Sequence, residues 1–332
     1  MVANILVTTE YVDDESAARL KKRAAICKLD ETMSQEQLAE FLPTIDVLLV
    51  FSWPKQLSAE NLRLMTKLKL VQNILAGVNQ VPFNHLSGDV IVCSNAGAYS
   101  TEVGEYAMGL LLASAKRIVE SHNSIKQEQW NFQRTMDVGS HVTMLENEVL
   151  GILGYGGIGA YTATLAQSFG MKIYAWTRGK RPSKLVKLFT GERGLDEVLA
   201  RSDCVVLALP LTKETRGIID SERLRRMKKD AILVNVTRGE LVDEKALYEH
   251  LAANPSFRYA TDVWWYNQGR ESLKTDYPFL SLPNFVGTPH LSGPSGLATG
   301  RPVKLAVDNV LRFLRGLAPR NIVDRSDYVN GR

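Results

Sequence analysis

Short apolar runs separated by polar stretches dominate the first hundred residues. Ile5 to Thr8, Val47 to Phe51, Leu68 to Asn73 and Val90 to Cys93 each have the length and apolar content of a buried strand. Their alternation with polar helical stretches predicts a small parallel α/β unit. From Thr101 to Gln129 the period becomes that of a helix. Val103, Tyr106, Ala107, Leu110, Leu111 and Ile118 fall on one broad apolar face there. After an irregular stretch, Trp130 to His141, a second series of strands follows: Val149 to Leu153, Met171 to Trp176, Cys204 to Leu209, Ile232 to Val236, Tyr259 to Val263 and Phe285 to Gly287. That series predicts a doubly wound sheet. A last helix, about Gly296 to Leu314, lies beyond the sheet and is free to return to the first unit.

The break after Val149 to Leu153 carries the most chemistry. It reads Gly154-Tyr155-Gly156-Gly157-Ile158-Gly159, followed by a helical pattern from Ala160 to Phe169 and then a second strand. A lone GxGxxG is a weak signal; one set between a strand and a helix describes a dinucleotide site. The first glycine makes the turn and the second lets backbone approach a pyrophosphate. The third lets helix and strand pack closely, while the helix N-terminus offers N–H groups and partial positive charge. An NAD site places Asp or Glu about 20 residues further on, to accept from the ribose 2′-OH. This chain has Trp176-Thr177-Arg178-Gly179-Lys180-Arg181 instead. Arg178, Lys180 and Arg181 bring positive charge, and Thr177 a hydroxyl, to the place of a 2′-phosphate. NADP is the expected cofactor and NAD the other possibility; a solvated basic turn is the competing reading of the cluster.

At 332 residues the chain is too long for one ordinary core, which favours two domains. A net charge of +4 is small for this length and gives no argument for nucleic acid. No apolar run is long enough to span a bilayer, and the first residues enter a strand without a signal-peptide pattern. Cys27, Cys93 and Cys204 are odd in number and widely spaced, as in a reduced cytoplasmic protein; Cys93 and Cys204 read as small core residues. His85, His122, His141 and His250 read as surface or loop residues, with no spacing that suggests a metal site.

Read together, the motifs are similar to those of the D-isomer-specific 2-hydroxyacid dehydrogenases, the group containing glyoxylate/hydroxypyruvate reductases and phosphoglycerate dehydrogenases. The resemblance covers nearly the whole chain. It includes Ala76 to Asn79, Asn95 to Tyr99, Val103 to Glu105, the glycine motif, Ser202-Asp203 and Leu209 to Thr212 with Thr215. It continues through Asn235 to Gly239, Val242-Asp243, Thr261 to Val263 and Thr288-Pro289-His290. The fold it implies is a doubly wound Rossmann cofactor domain, 99–291, inserted in a smaller flavodoxin-like α/β substrate domain formed by 1–98 and 292–332. The activity it implies is hydride transfer between a nicotinamide cofactor and a small 2-keto or 2-hydroxy acid of the glyoxylate or hydroxypyruvate type. Another small oxyanion as substrate is the alternative within enzymes. A dinucleotide-sensing corepressor without turnover is the alternative outside them.

Reducing a keto acid requires a cation to polarise the keto oxygen and an acid to protonate the alkoxide. By resemblance Arg238 is the cation, its fork suited to a keto acid. His290 is the acid, a residue that exchanges protons near neutrality. The partner of His290 is open. Counting forward from Asp262 puts Asn267 in the family's glutamate position; counting back from His290 puts Glu271 there, and the forward count favours Asn267. The resemblance also implies that Gly77 and Val78 offer N–H groups to the substrate carboxylate. It has Tyr99 lining the substrate pocket, though a packed core tyrosine is an equal reading. Asp262 receives the nicotinamide carboxamide, while Pro210, Thr215 and Thr237 line the cofactor. Trp264 and Trp265 read as a buried pair at an interdomain hinge. A homodimer pairing through the helix that starts near Val103 is expected.

Overall fold

Alternation along each strand decides which face an apolar side chain covers in the computed structural model, which describes residues 2–30, 32–130, 142–179, 183, 185–267, 270–293 and 300–328. Two compact units result: Met1–Tyr99 with Pro294–Arg332, and Ser100–Gly293.

The first unit is a parallel sheet of β1 (Ala3–Val7), β2 (Ala24–Lys28), β3 (Val47–Val50), β4 (Leu70–Asn73) and β5 (Ile91–Cys93). Its order, β2-β1-β3-β4-β5, is that of the flavodoxin-like doubly wound sheets. Leu6, Leu48, Val50, Val71 and Val92 face one side, with Leu38, Leu42 and Leu62 against them. Ile5, Val7, Val47, Leu49, Leu70 and Cys93 face the other, covered by Val303, Ala306, Val307 and Val310 of the helix Arg301–Leu314. The strand β2 is a correction to the four strands expected. It lies at an edge and only Ala24 is buried, so it lacks the apolar run that marks an inner strand. The opposite edge is covered too: Ile322 bridges Cys93, and Val323 N–H donates to Val92 O at 2.8 Å. Residues 296–299 of the expected last helix lie outside the described residues; Gly300, at φ +67°, caps the rest.

The second unit opens with the helix Ser100–Ala115, which buries Val103, Ala107, Leu110 and Leu111. The single helix expected to Gln129 is in fact two. Arg117 takes φ +50°, a left-handed conformation that ends the α-helical ladder, and a new helix runs Ile118–Lys126. Ile118 is consequently turned out, with 55% of its surface exposed.

The sheet behind these helices holds β6 (Val149–Leu153), β7 (Lys172–Trp176), β8 (Lys187–Phe189), β9 (Cys204–Leu207), β10 (Ile232–Asn235) and β11 (Arg258–Thr261). A small antiparallel hairpin, β12 (Tyr266–Asn267) with β13 (Arg270–Glu271), precedes the last strand of the sheet, β14 (Phe285–Gly287). The order β14-β11-β10-β9-β6-β7-β8 is parallel throughout, and its direction reverses between β6 and β9. The edge strand β8 and the hairpin escaped the sequence reading; both are short and neither is fully buried.

Trp264 and Trp265 are buried in the core of this unit. Trp265 stacks on Phe279 (5.1 Å between centroids) and its indole N–H donates to Val242 O at 2.8 Å. His250 is not a surface residue: it is half-buried with its ring edge-on to Phe257. His85 is also half-buried, His122 is exposed, and His141 lies outside the described residues. Burial pushes the Cys93 thiol up to about 11 and that of Cys204 up to about 12, as expected of small core residues. Among the described residues, no helix is long and apolar enough to cross a membrane.

Candidate active site

Six strands of the second sheet deliver the candidate residues, each at its carboxyl end. The glycine turn follows β6, Thr177 and Arg178 follow β7, and Pro210 follows β9. Thr237 and Arg238 follow β10, Asp262 follows β11, and His290 comes three residues after β14. Ligands of open parallel sheets lie outside these ends, at the point where strand order reverses. Gly154 sits at that point: its N–H donates to Trp176 O, and at φ +102° an added Cβ would meet Ala208 O at 2.5 Å. Only glycine fits.

The glycine turn suits a pyrophosphate. Among the described residues, nothing beyond its own chain neighbours lies within 4 Å of where a Gly156 Cβ would stand, which leaves space for a ligand. The helix Gly157–Ser168 starts there with no side-chain cap, so its first N–H groups are presented outward. Gly159 is needed for packing, since a Cβ would come within 2.1 Å of Gly154 O. Tyr155 and Ile158 are half-buried beside the turn. One contact escaped the sequence reading: the Tyr155 hydroxyl lies 3.3 Å from Ser183 Oγ, in the segment after β7.

The other cofactor candidates differ in how their polar atoms are engaged. Arg178 is exposed and pairs loosely with Glu214 at 3.7 Å, while Thr177 N–H donates to Phe189 O. Lys180 and Arg181 lie outside the described residues. Thr215 is buried and builds its own loop, donating its hydroxyl to Pro210 O at 2.6 Å and accepting from Thr212 N–H at 2.8 Å. Thr237 N–H donates to Asn235 Oδ1 at 3.1 Å.

Around β10, β11 and β14 the geometry is tighter. His290 Nδ1–H donates to Glu271 Oε2 at 2.7 Å; an ionised carboxylate only accepts, so the proton of this contact sits on nitrogen. The forward count to Asn267 is thus corrected: Asn267 donates to Lys274 O at 2.9 Å, and the partner of His290 is Glu271. The hairpin explains it. In its register Tyr266 pairs with Glu271, so the chain doubles back and returns Glu271 beside Trp264, whose N–H donates to Oε1 at 2.7 Å. Burial would raise the Glu271 carboxyl, but the His290 contact, the Trp264 N–H and the nearby Arg238 charge together hold it below the usual range.

Arg238 is half-buried at the end of β10. Its Nη1–H donates to Thr237 O at 2.6 Å, and Asn235 Nδ2–H donates to its carbonyl at 2.7 Å. Gly239 packs flat on the next segment, where a Cβ would meet Trp264 C at 2.4 Å. His290 takes φ +55°, a conformation that costs a non-glycine residue roughly 1–3 kcal/mol and persists where its surroundings impose it. Asp262 is fully buried, with both carboxylate oxygens bonded to the turn around His290. Nothing in the sequence pattern announced those bonds, because two of the three run to backbone N–H groups.

Gly77, Val78 and Tyr99 belong to the first unit. Gly77 and Val78 lie in the loop after β4, where Gly77 O accepts from Asn73 Nδ2 at 2.7 Å. Tyr99 is a buried residue whose hydroxyl donates to Ile74 O at 3.3 Å.

The chain is similar to known proteins. The family model described as D-isomer specific 2-hydroxyacid dehydrogenase, NAD binding domain, matches residues 108–292. The chain is 33% identical over 272 residues to the glyoxylate reductase of Korarchaeum cryptofilum, covering 81% of this chain and 80% of that one. It is 31% identical over 326 residues to the D-3-phosphoglycerate dehydrogenase of Methanocaldococcus jannaschii, covering 97% of this chain but 60% of that protein's length. The crystal structure of a D-isomer specific 2-hydroxyacid dehydrogenase from Xanthobacter autotrophicus Py2, in complex with NADPH and MES, matches with a TM-score of 0.77 and 25% identity, over 98% of each chain. Given the family model matched over 108–292 and the 33% identity over 81% of this chain, the chain belongs to the D-isomer specific 2-hydroxyacid dehydrogenase family.

Proposed function

We propose that this chain reduces a small 2-keto acid, glyoxylate or hydroxypyruvate in type, with NADPH as the preferred cofactor. The family is one of oxidoreductases that interconvert 2-keto and 2-hydroxy acids, and the observation that carries the reading is the His290–Glu271 pair. It lies at the end of β14, one strand from Asp262 on β11 and two from Arg238 on β10. A nicotinamide nucleotide held on the glycine turn would supply the hydride. Arg238 would bind the keto acid by its fork and stabilise charge on the keto oxygen. His290, with Nδ1–H fixed by Glu271, would give its other ring proton to the alkoxide. A corepressor without turnover has no need of this pair, which favours the enzyme. The test is a panel of small 2-keto acids followed by absorbance with NADPH and NADH in parallel; tight NADPH binding with no turnover on any acid would sink it.

The preference for NADPH is supported by Arg178, next to Thr177, which stands where an NAD site carries a carboxylate. Its pairing with Glu214 is between exposed side chains at 3.7 Å, a contact worth about 0–1 kcal/mol that a phosphate can displace. Arg178→Ala is expected to weaken NADPH binding roughly ten- to a hundredfold, the worth of a hydrogen bond to a charged group, and to leave NADH nearly unchanged. Equal losses for both would remove the 2′-phosphate assignment.

The proposal includes a homodimer formed through the region of the helix Ser100–Ala115 and its continuation. Ile118, Ile125 and Met144 are 55%, 52% and 66% exposed there, a density of bare apolar surface that favours a partner. Light scattering at micromolar concentration should give twice the chain mass; a monomer mass would refute it.

A further inference from the structure

We infer that Asp262 is a positioning residue, whose carboxylate holds the turn that presents His290. The inference rests on His290 as the proton donor and goes further by naming what keeps it in place. Asp262 Oδ1 accepts from the Thr288 hydroxyl at 2.6 Å and from Leu291 N–H at 2.8 Å; Oδ2 accepts from Ser292 N–H at 2.8 Å. Those donors flank His290 on both sides. Two further bonds pin the approach: Trp264 Nε1–H to Thr288 O at 2.8 Å, and Thr288 N–H to Thr261 O at 2.9 Å. Between these clamps His290 is held at φ +55°. A turn of that kind at a non-glycine residue persists only when its surroundings over-determine it, and Asp262 is the largest of those surroundings.

The same short segment supports the other two groups. Trp264 N–H donates to Glu271 Oε1 at 2.7 Å, and the Trp264 backbone is the floor on which Gly239 packs, beside Arg238. Asp262 to Trp264 is therefore a common brace for Arg238, Glu271 and His290. Its carboxylate is the part that no isostere replaces. Both oxygens face donors, so an amide in either orientation would set an N–H against an N–H. This arrangement also separates a brace from a cofactor contact. An acceptor for a nicotinamide carboxamide acts on cofactor affinity, whereas a brace acts on the geometry of His290.

The test uses the whole chain in four forms: wild type, Asp262→Asn, Thr288→Val and Thr288→Ser. Asp262→Asn should lower kcat with the best keto acid on the order of a hundredfold, the effect of displacing a reacting group by about 1 Å. The NADPH dissociation constant by calorimetry and the KM of the keto acid should stay within about twofold, since no binding group is removed. Thr288→Val, which deletes one of the three donors, should lower kcat in the same sense but less. Thr288→Ser should restore it. The imidazole resonance of His290, identified by its loss in His290→Gln, should shift or broaden in Asp262→Asn and in Thr288→Val and return in Thr288→Ser. A loss of NADPH affinity with kcat at saturating cofactor intact would overturn the inference in favour of a cofactor contact. An unmoved His290 resonance would overturn it outright, and that readout still decides if the wild type reduces no keto acid. If Asp262→Asn does not fold, the two Thr288 variants carry the decision.

Discussion

Arg238→Ala is expected to lower kcat/KM for keto-acid reduction by about 10²–10³, the usual consequence of losing one fixed donor to a developing oxyanion. Arg238 is prepared for that work by its surroundings. Its carbonyl accepts from Asn235, its Nη1–H is anchored on Thr237 O, and Gly239 lets the backbone lie against Trp264. In the proposed mechanism the fork holds the keto acid in the ground state and more strongly in the transition state, so both KM and kcat should worsen. Arg238→Lys keeps the charge but not the planar fork and should recover only part of the loss. Steady-state kinetics on the purified variants check this; a loss in Arg238→Ala of less than tenfold would remove Arg238 from the centre of the mechanism.

The second large effect is on the pH profile. Glu271→Gln should move the alkaline limb of keto-acid reduction towards acid by roughly one unit, the low end of what an opposing charge at contact distance contributes. The sign follows from the pair. In the proposed mechanism reduction needs protonated His290, and an amide lacks the negative charge of the carboxylate 2.7 Å away. The His290 contact is also one of the influences that hold the Glu271 carboxyl below its usual range. Because its folded value is depressed, the stability it contributes is complete above the ordinary carboxylate range and is lost as pH falls through the folded value. Asn267→Ala, by contrast, should leave both limbs where they are, since the Asn267 side chain donates to Lys274 O. An unmoved profile in Glu271→Gln would break the pairing.

How much of this was legible depends on where each residue sits. Strands such as β3, β9 and β10 are buried at all four positions, so their apolar runs stand out in the chain. Strands β2 and β8 lie at sheet edges and carry mixed residues, because one side of each meets solvent or a loop. The glycine turn was legible because steric demands write themselves into residue type: Gly154 and Gly159 admit no Cβ. Glu271 was not, since a count along the chain cannot see a hairpin in which Tyr266 and Glu271 become neighbours. The role of Asp262 escaped for a different reason: backbone donors leave no trace in side-chain identity.

The interleaving of the two units has a consequence during synthesis. Ser100–Gly293 is one uninterrupted stretch, so all its strands can pair as soon as they leave the ribosome. The first unit is different. Residues up to Tyr99 emerge with Ile5, Val7, Val47, Leu49 and Leu70 on a sheet face whose cover, Val303 to Val310, has yet to be made. The edge of β5 likewise waits for Ile322 and Val323. The nascent sheet must therefore remain unpaired with its final helix while some two hundred residues are added, a period in which a chaperone has bare aliphatic surface to hold. The unit made first is the one that is completed last.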